Sequence, residues 1–110
     1  MGCIFCKIIE GKIPCKKIYE SDTILAFHDI NPRAPVHALI VPKVHVKDIN
    51  SLNPEHSRFI VDVFDAIPEI AKKLNVHKSG YRIVINNGKH SGQEVFHLHF
   101  HLMGGAKLGI

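Results

Sequence analysis

The chain has 110 residues, of which 45% are hydrophobic and 22% charged, with a formal net charge of +4. This length favours a single domain over residues 1–110, and the composition excludes an intrinsically disordered chain. No apolar run approaches the roughly 20 residues needed to span a bilayer, so a membrane protein is excluded as well. The positive charge suits anionic ligands such as phosphates, although an ordinary basic surface explains it equally well.

The cysteines indicate a reducing environment. There are three of them, Cys3, Cys6 and Cys15, which is an odd number. The N-terminal residues lack the basic segment and long apolar run of a secretory signal. We therefore expect the protein in the cytoplasm, where cysteines serve as thiols or metal ligands rather than as disulfides.

The first half of the chain predicts one short helix and three short strands. An apolar stripe over residues 3–10 predicts the helix, and Gly11 fits the position just past its end. Strands are predicted over residues 16–20, 23–30 and 37–41, because turn-forming Ser, Asp, Asn and Pro residues bound these runs.

The second half predicts a long helix and two more strands. Asn53 and Pro54 suit a helix start, and apolar residues then recur with helical spacing as far as Leu74. Pro68 lies inside this pattern and predicts a kink. The remaining strands are predicted over residues 81–87 and 95–103, on either side of a glycine-containing loop.

The order of these elements predicts the fold class. Few of the intervals between strands can hold a crossover helix, so the sheet should be mostly antiparallel. We expect an α+β fold with about five strands, one long helix and one short N-terminal helix.

Three histidines, His97, His99 and His101, alternate with apolar residues along the last predicted strand. Alternate side chains share one face of a strand, so the imidazoles should form a row with about 6–7 Å between neighbours. The apolar residues expected to point into the core are Phe96, Leu98, Phe100 and Leu102.

A row of imidazoles suits chemistry at phosphorus. A neutral imidazole is a good nucleophile near pH 7, and a neighbouring imidazole can act as general acid for the leaving group. Two other interpretations remain: a solvated strand face that happens to carry histidine, and a metal site.

The run over residues 97–103 reads His-φ-His-φ-His-φ-φ, where φ is hydrophobic, and through it the chain resembles the histidine triad (HIT) family. Further segments are similar to the nucleotide-binding branch of that family, over residues 5–14, 25–30, 34–45, 81–86 and 92–96. The resemblance implies a HIT-like fold and a homodimer joined across the long helix and the strand that begins at Tyr81.

The resemblance also implies an activity, which is purine nucleoside phosphoramidase. In this branch the middle histidine is the nucleophile, here His99, while His101 contacts the phosphate and assists the leaving group. His37 corresponds to a histidine of the proton relay, and His97 completes the triad. Related uridylyltransferases carry Gln where this chain has His101, so hydrolysis is favoured over transfer. No redox cofactor is implied.

The nucleotide contacts are likewise implied by the resemblance. From composition alone, Asp29 would be assigned as a turn-capping residue. The resemblance implies instead that Asp29 contacts the ribose and that Ile30 lines the base pocket. Animal members carry Ser where this chain has Glu94, and a carboxylate would repel phosphate, so only the backbone contact is expected there. The full set of expected nucleotide contacts is His28, Asp29, Ile30, Asn86, Gly92, Gln93, Glu94, Val95, His99 and His101.

Cys3 and Cys6 form a C-x₂-C pair on the short helix. Two thiolates and two imidazoles make a tetrahedral zinc set, and some microbial relatives imply that His45 and His97 complete it. Zinc would then be structural. The alternative is two small buried thiols without a metal.

Three other functions are weighed against the phosphoramidase. One is a dinucleoside polyphosphate hydrolase, and another is a nucleotide-binding dimer with only residual catalysis. The third is a small zinc-binding nucleic-acid module, which ranks last because the chain lacks a basic run with interleaved aromatic residues. We therefore expect a purine nucleotide as substrate, and neither a specific nucleic acid nor a membrane as partner.

Overall fold

The computed structural model describes residues 2–109, in which a helix, three strands, a second helix and two further strands follow one another. Their bounds are α1 Ile4–Ile9, β1 Lys17–Glu20, β2 Ile24–His28, β3 Val36–Pro42, α2 Ser57–Lys73, β4 Tyr81–Val84 and β5 Phe100–Gly104. The predicted α+β class, with one long helix and one short N-terminal helix, is confirmed. Among these residues no helix is both long and apolar enough to cross a membrane.

The strands form one antiparallel sheet in the order β1-β2-β3-β5-β4. The central strand, β3, pairs with β2 on one side and with β5 on the other. In the second ladder Leu39 lies opposite His101, and Ile40 lies opposite Phe100. Residues far apart in sequence, on β3 and β5, thus become neighbours in the middle of the sheet.

Both faces of β3 are buried, because each face of the sheet is covered by a helix. Ala38 and Ile40 belong to the larger core, which includes the apolar face of α2. Leu39 and Val41 point the other way and pack in a smaller cluster with Phe5 of α1. Alternate residues of one strand therefore supply two cores, and the smaller core is the one that borders the site described below.

The long helix starts later than predicted. A 3₁₀ turn occupies the predicted first turn: Asn53 caps it by accepting a hydrogen bond from the backbone N–H of Glu55, and the Asn53 N–H donates to Nδ1 of His56. The α-helix proper covers Ser57–Lys73 and continues through Pro68 without ending there.

The last strand is also shorter than predicted, since β5 begins at Phe100 rather than at residue 95. Continuing the β3–β5 register would bring Pro42 opposite Leu98. Pro42 has no N–H to donate, and its carbonyl already accepts a hydrogen bond from Nε2 of His97, 2.9 Å away. The Leu98 N–H instead donates to the carbonyl of Val46 at 2.6 Å, so the chain leaves the ladder here.

One of the four predicted core residues of this segment was placed wrongly. The chain bends at residues 95–97, which breaks the strand alternation and leaves Phe96 41% exposed, with the Lys47 ammonium 5.8 Å from its ring centroid. The predicted burial of Leu98, Phe100 and Leu102 is confirmed.

Candidate active site

A cavity of about 230 Å³ opens on the α1 side of the sheet. One wall is apolar and comes from the short helix and its neighbours: Ile4, Phe5, Ile8, Ile13 and Phe27. The rest of the lining is largely polar, and it comes from the end of β2, the following turn, β5 and the loops before it: His28, Asp29, Asn31, Arg33, Asn86, Glu94, His99 and His101. The cavity thus offers both apolar surface and hydrogen-bonding groups, as ligand pockets commonly do.

The His99 ring presents a free nitrogen to this cavity. Its Nδ1–H donates to the carbonyl of His97 at 2.7 Å, so in the neutral ring Nε2 carries the lone pair. The Phe5 ring packs edge-on against the His99 ring, with centroids 5.1 Å apart. Burial lowers the pKa of His99, which favours the neutral form that can act as a nucleophile.

A second hydrogen-bond chain fixes His101. The backbone N–H of Arg33 donates to Nδ1 of His37, so the proton of the neutral His37 ring lies on Nε2. That Nε2–H donates to Nδ1 of His101, 2.9 Å away. By the same reasoning the His101 proton lies on Nε2, and the chain of donors ends there.

The Nε2 atom of His101 is a buried polar atom without a hydrogen-bond partner among residues 2–109. Burial, and then the neighbouring His99 and His37, lower the pKa of His101 to about 4. The ring is therefore neutral near pH 7 and keeps one N–H that no group in this part of the chain accepts. Because His101 lines the cavity, this N–H is a donor that an anionic ligand would satisfy.

Asp29 caps a turn and also lines the cavity. One carboxylate oxygen accepts the backbone N–H of Asn31 at 2.9 Å, which is a turn cap. The other lies 3.4 Å from Nε2 of His37. The residue also lines the cavity, so capping the turn and facing a ligand are compatible.

The four predicted metal ligands, Cys3, Cys6, His45 and His97, converge, and their ligand atoms all lie within 4.8 Å of one another. Nδ1 of His97 is 3.4 Å from the Cys3 sulfur and 3.6 Å from the Cys6 sulfur, and Nδ1 of His45 is 3.4 Å from the Cys6 sulfur. Zn–S bonds of about 2.3 Å and Zn–N bonds of about 2.0–2.1 Å at a tetrahedral angle separate S from N by about 3.5 Å. The donor set and its spacing therefore fit zinc.

The tautomer of His97 fits a metal as well. Its Nε2–H donates to the carbonyl of Pro42, which leaves the Nδ1 lone pair directed at the two sulfurs. Metal-bound histidines are commonly oriented in this way, by a hydrogen bond from the ring nitrogen that does not bind the metal to an acceptor such as a backbone carbonyl.

A second group of possible ligands does not fit a metal. Asp29, His37 and His101 also bring their ligand atoms within 4.8 Å of one another. Binding at Nε2 of His37 would require the proton to move to Nδ1, where the Arg33 N–H already donates. This cluster is therefore a hydrogen-bond relay.

The three triad histidines share one side of the sheet, since the Phe5 ring packs against the rings of His97 and His99, and the His99 ring packs against that of His101. Only His101 lies within β5, so the row does not lie on one continuous strand. All three are buried, with 0–7% of their surface exposed, because α1 covers this face of the sheet. His97 faces the cysteines, so the triad divides into one ring at the metal cluster and two rings at the cavity.

Most of the predicted nucleotide contacts border the cavity, and Gln93 is the exception. Its side chain is buried and accepts the N–H of Gly88, while its amide donates to the carbonyls of Lys47 and Val95. It therefore holds the loop together. The predicted residues that line the cavity are His28, Asp29, Ile30, Asn86, Gly92, Glu94, Val95, His99 and His101.

The sequence interpretation missed several lining residues. The apolar stripe of α1 was recognised, but Phe5 and its neighbours were not assigned to the site. The available signal was that Ile4 and Phe5 lie between the two cysteines of the C-x₂-C pair. Arg33, in the proline-rich turn after β2, and Cys15, before β1, also line the cavity. Neither residue lies in a motif that would have indicated this.

Comparison with known proteins agrees with this geometry. The family model for the HIT domain matches residues 10–108. A protein of Helicobacter pylori described as an uncharacterized HIT-like protein is 46% identical over 104 residues, which cover 94% of this chain and 97% of that protein. The purine nucleoside phosphoramidase of Escherichia coli is 40% identical over 106 residues, covering 96% of this chain and 89% of the relative.

Solved structures show the same arrangement of elements. A histidine triad protein from Clostridium difficile superposes with a TM-score of 0.95 at 43% identity and covers 100% of this chain and 96% of its own. A HIT family hydrolase from Legionella pneumophila superposes with a TM-score of 0.94 at 41% identity, covering 98% of this chain and 96% of its own.

Proposed function

Because the chain belongs to the histidine triad (HIT) family, we propose that it is a purine nucleoside phosphoramidase, which cleaves the P–N bond of nucleoside 5'-phosphoramidates. The observation that carries the proposal is the pair of fixed tautomers at the cavity: a lone pair on Nε2 of His99 and an N–H on Nε2 of His101. One is a nucleophile and the other a proton donor, which are the two groups that the reaction needs. The named activity of the Escherichia coli relative supports the same substrate class.

In the first step Nε2 of His99 attacks the α-phosphorus and forms a P–N bond to the ring. The original P–N bond breaks, and its electron pair leaves with the amine, which takes the Nε2 proton of His101. The His97 carbonyl, 2.7 Å from Nδ1 of His99, stabilises the positive charge that this ring then carries. The positive charge on His99 in turn stabilises the His37–His101 pair, which has given one proton to the amine.

In the second step water attacks the phosphorus of the nucleotidyl-His99 intermediate. The bond from phosphorus to Nε2 of His99 breaks, and its electron pair returns to the ring. The proton lost by the water restores the N–H of His101, and nucleoside monophosphate is released. Before the first step and after the second, the hydrogen bond from His37 to Nδ1 keeps the His101 proton on Nε2.

The cavity supports a purine nucleotide in one orientation. The base would lie against the apolar wall, between Phe5 and Ile30, and the ribose hydroxyls would bind the carboxylate of Asp29. This places the phosphate at His99 and His101. The unpartnered N–H of His101 would donate to a phosphate oxygen until the leaving group needs the proton.

A structural zinc ion would be held by the cluster of Cys3, Cys6, His45 and His97. The ion would cross-link α1 to the segment before β5 and would take no part in the reaction. We also propose a homodimer joined across α2 and β4. Val61 and Phe64 on α2 are more than half exposed in the isolated chain, as a contact face would be.

The activity is tested by incubating the protein with an adenosine 5'-phosphoramidate and, separately, with a diadenosine polyphosphate. Release of AMP and free amine from the first, at a kcat/KM well above that for the second, supports the proposal. A preference for the polyphosphate would indicate the related dinucleoside polyphosphate hydrolase. Tight nucleotide binding without turnover of either would indicate a binding protein.

A further inference from the structure

Glu94 occupies a fixed position at the polar end of the cavity. The loop that carries it is held by the buried side chain of Gln93, which binds backbone groups of Gly88, Lys47 and Val95. The Glu94 side chain itself is exposed and lines the cavity together with His99 and His101. A rigid loop thus presents a carboxylate where the sequence predicted only a backbone contact.

The charged lining of the cavity consists of Asp29, Arg33 and Glu94, within residues 2–109. Asp29 is engaged by the backbone N–H of Asn31 and lies beside His37. Glu94 forms no ion pair with any residue that the structure describes. Its negative charge is therefore available to a ligand.

Glu94 is exposed where it borders the cavity, whereas His99 and His101 are buried. The carboxylate thus borders the reacting histidines without sitting among them. In the proposed binding mode the base and ribose occupy the end formed by α1 and β2, so the part of the substrate that lies beyond the phosphorus is the leaving amine.

We propose that Glu94 is a specificity-determining residue that selects phosphoramidates whose leaving amine carries a second, positively charged group. This rests on the proposed phosphoramidase function. A carboxylate repels the phosphate of every substrate equally, so it lowers the rate for all of them. Only a cation on the leaving group offsets this repulsion. A carboxylate at position 94 therefore makes the protein prefer substrates with such amines.

The size of the effect follows from the exposure of the side chain. An ion pair at about 4 Å in a water-like medium changes an equilibrium or rate by about fivefold, and side-chain entropy and salt reduce this for an exposed pair. We therefore expect a cationic leaving group to raise kcat/KM about two- to fivefold over a neutral one of equal length.

The test uses three adenosine 5'-phosphoramidates that differ only at the end of a four-carbon leaving amine. The amines are butylamine, 1,4-diaminobutane and 4-aminobutanoate, which end in a methyl group, an ammonium and a carboxylate. kcat/KM is measured for the wild-type protein, for Glu94→Gln, and for Glu55→Gln, which removes the same charge from an exposed residue outside the cavity.

The proposal expects the order ammonium, methyl, carboxylate in the wild-type protein and in Glu55→Gln. In Glu94→Gln the ratio of kcat/KM for the ammonium substrate to that for the methyl substrate should fall about two- to fivefold, and kcat/KM for the carboxylate substrate should rise. Equal ratios in the wild-type protein and Glu94→Gln would overturn the role of Glu94 while leaving the phosphoramidase intact. Failure to cleave any of the three substrates would instead overturn the proposed function and, with it, this inference.

Discussion

Nε2 of His37 and Nδ1 of His101 lie 2.9 Å apart, and one proton joins them. The backbone N–H of Arg33 decides on which ring that proton resides, since it occupies the only other nitrogen of His37. A single backbone donor in the turn after β2 thus sets the tautomer of a histidine on β5. Two of the predictions below depend on this relationship.

Replacing His37 tests the relay. His37→Asn removes the donor to His101 and leaves Nδ1 of that ring unpaired, so the N–H facing the cavity is no longer enforced. We expect kcat to fall about 10- to 100-fold, somewhat less than the cost of removing a general acid outright. KM should change little, because His37 does not line the cavity. Steady-state kinetics check this, with His77→Gln, an exposed histidine outside the cavity, as control. A rise in KM at constant kcat would contradict the relay.

The lowered pKa of His101 predicts how stability depends on pH. The folded-state pKa of about 4 lies below the unfolded value of 6.5, so between these values the unfolded chain binds more protons. The contribution of neutral His101 to the free energy of unfolding is therefore fully present above pH 6.5 and is lost as the pH falls towards 4. This contribution is about 3 kcal/mol. The groups facing His101 are His99, His37, Arg33 and Asp29.

Urea unfolding at several pH values measures this slope. The variant His101→Gln should lose less stability than the wild-type protein between neutral and acid pH, because its buried side chain does not titrate. Parallel curves for the two proteins would show that His101 is not the group responsible. His77→Gln, which removes an exposed histidine, should follow the wild-type curve.

Removing one cysteine of the cluster tests the metal. The protein purified with zinc should contain about one ion per chain, and Cys3→Ser should contain almost none by elemental analysis. A ligand that binds only the folded state stabilises it by about 4 kcal/mol at 1,000 times its Kd, so the variant should also melt earlier. Cys15→Ser, outside the cluster, should retain the metal. Equal and negligible zinc in all three proteins would favour two unligated thiols.

The proposed dimer depends on the exposed face of α2. Phe64 is 54% exposed in the isolated chain, with its ring 6.1 Å from that of Phe100. Sedimentation should give twice the mass of one chain for the wild-type protein and the single-chain mass for Phe64→Glu. Ile49→Glu makes the same change at an exposed residue outside α2 and should remain dimeric. A wild-type protein that sediments as one chain would contradict the dimer.

The sequence contained enough to predict the fold class and the metal cluster. Helical and strand periodicities are local properties, and they predicted seven elements in the observed order. The C-x₂-C pair indicated two of the four residues of the cluster, and the family resemblance indicated His45 and His97. No part of this depended on the register of the strands.

The position of the proposed nucleophile depended on information that the sequence does not display. His99 precedes β5 because Pro42, which would lie opposite the neighbouring Leu98, has no N–H with which to continue the ladder. This pairing is known only when the register is known. Strand alternation was therefore extended too far, and it wrongly placed Phe96 in the core.

The tautomers were equally inaccessible to sequence reasoning. They are determined by carbonyl and N–H groups of the backbone, such as those of His97 and Arg33, which every residue carries. The residue types indicated that imidazoles were available as nucleophile and general acid. Only the fold shows which nitrogen of each ring is free.

The most direct test of the account is intact-mass measurement after rapid mixing with an adenosine 5'-phosphoramidate and an acid-free quench, since a phosphorus–imidazole bond is acid-labile. The wild-type protein should gain the mass of one adenylyl group within a turnover, and His99→Asn should gain none while still binding AMP. Persistence of the adduct in His99→Asn, or hydrolysis by the wild-type protein without any adduct, would show that His99 is not the nucleophile.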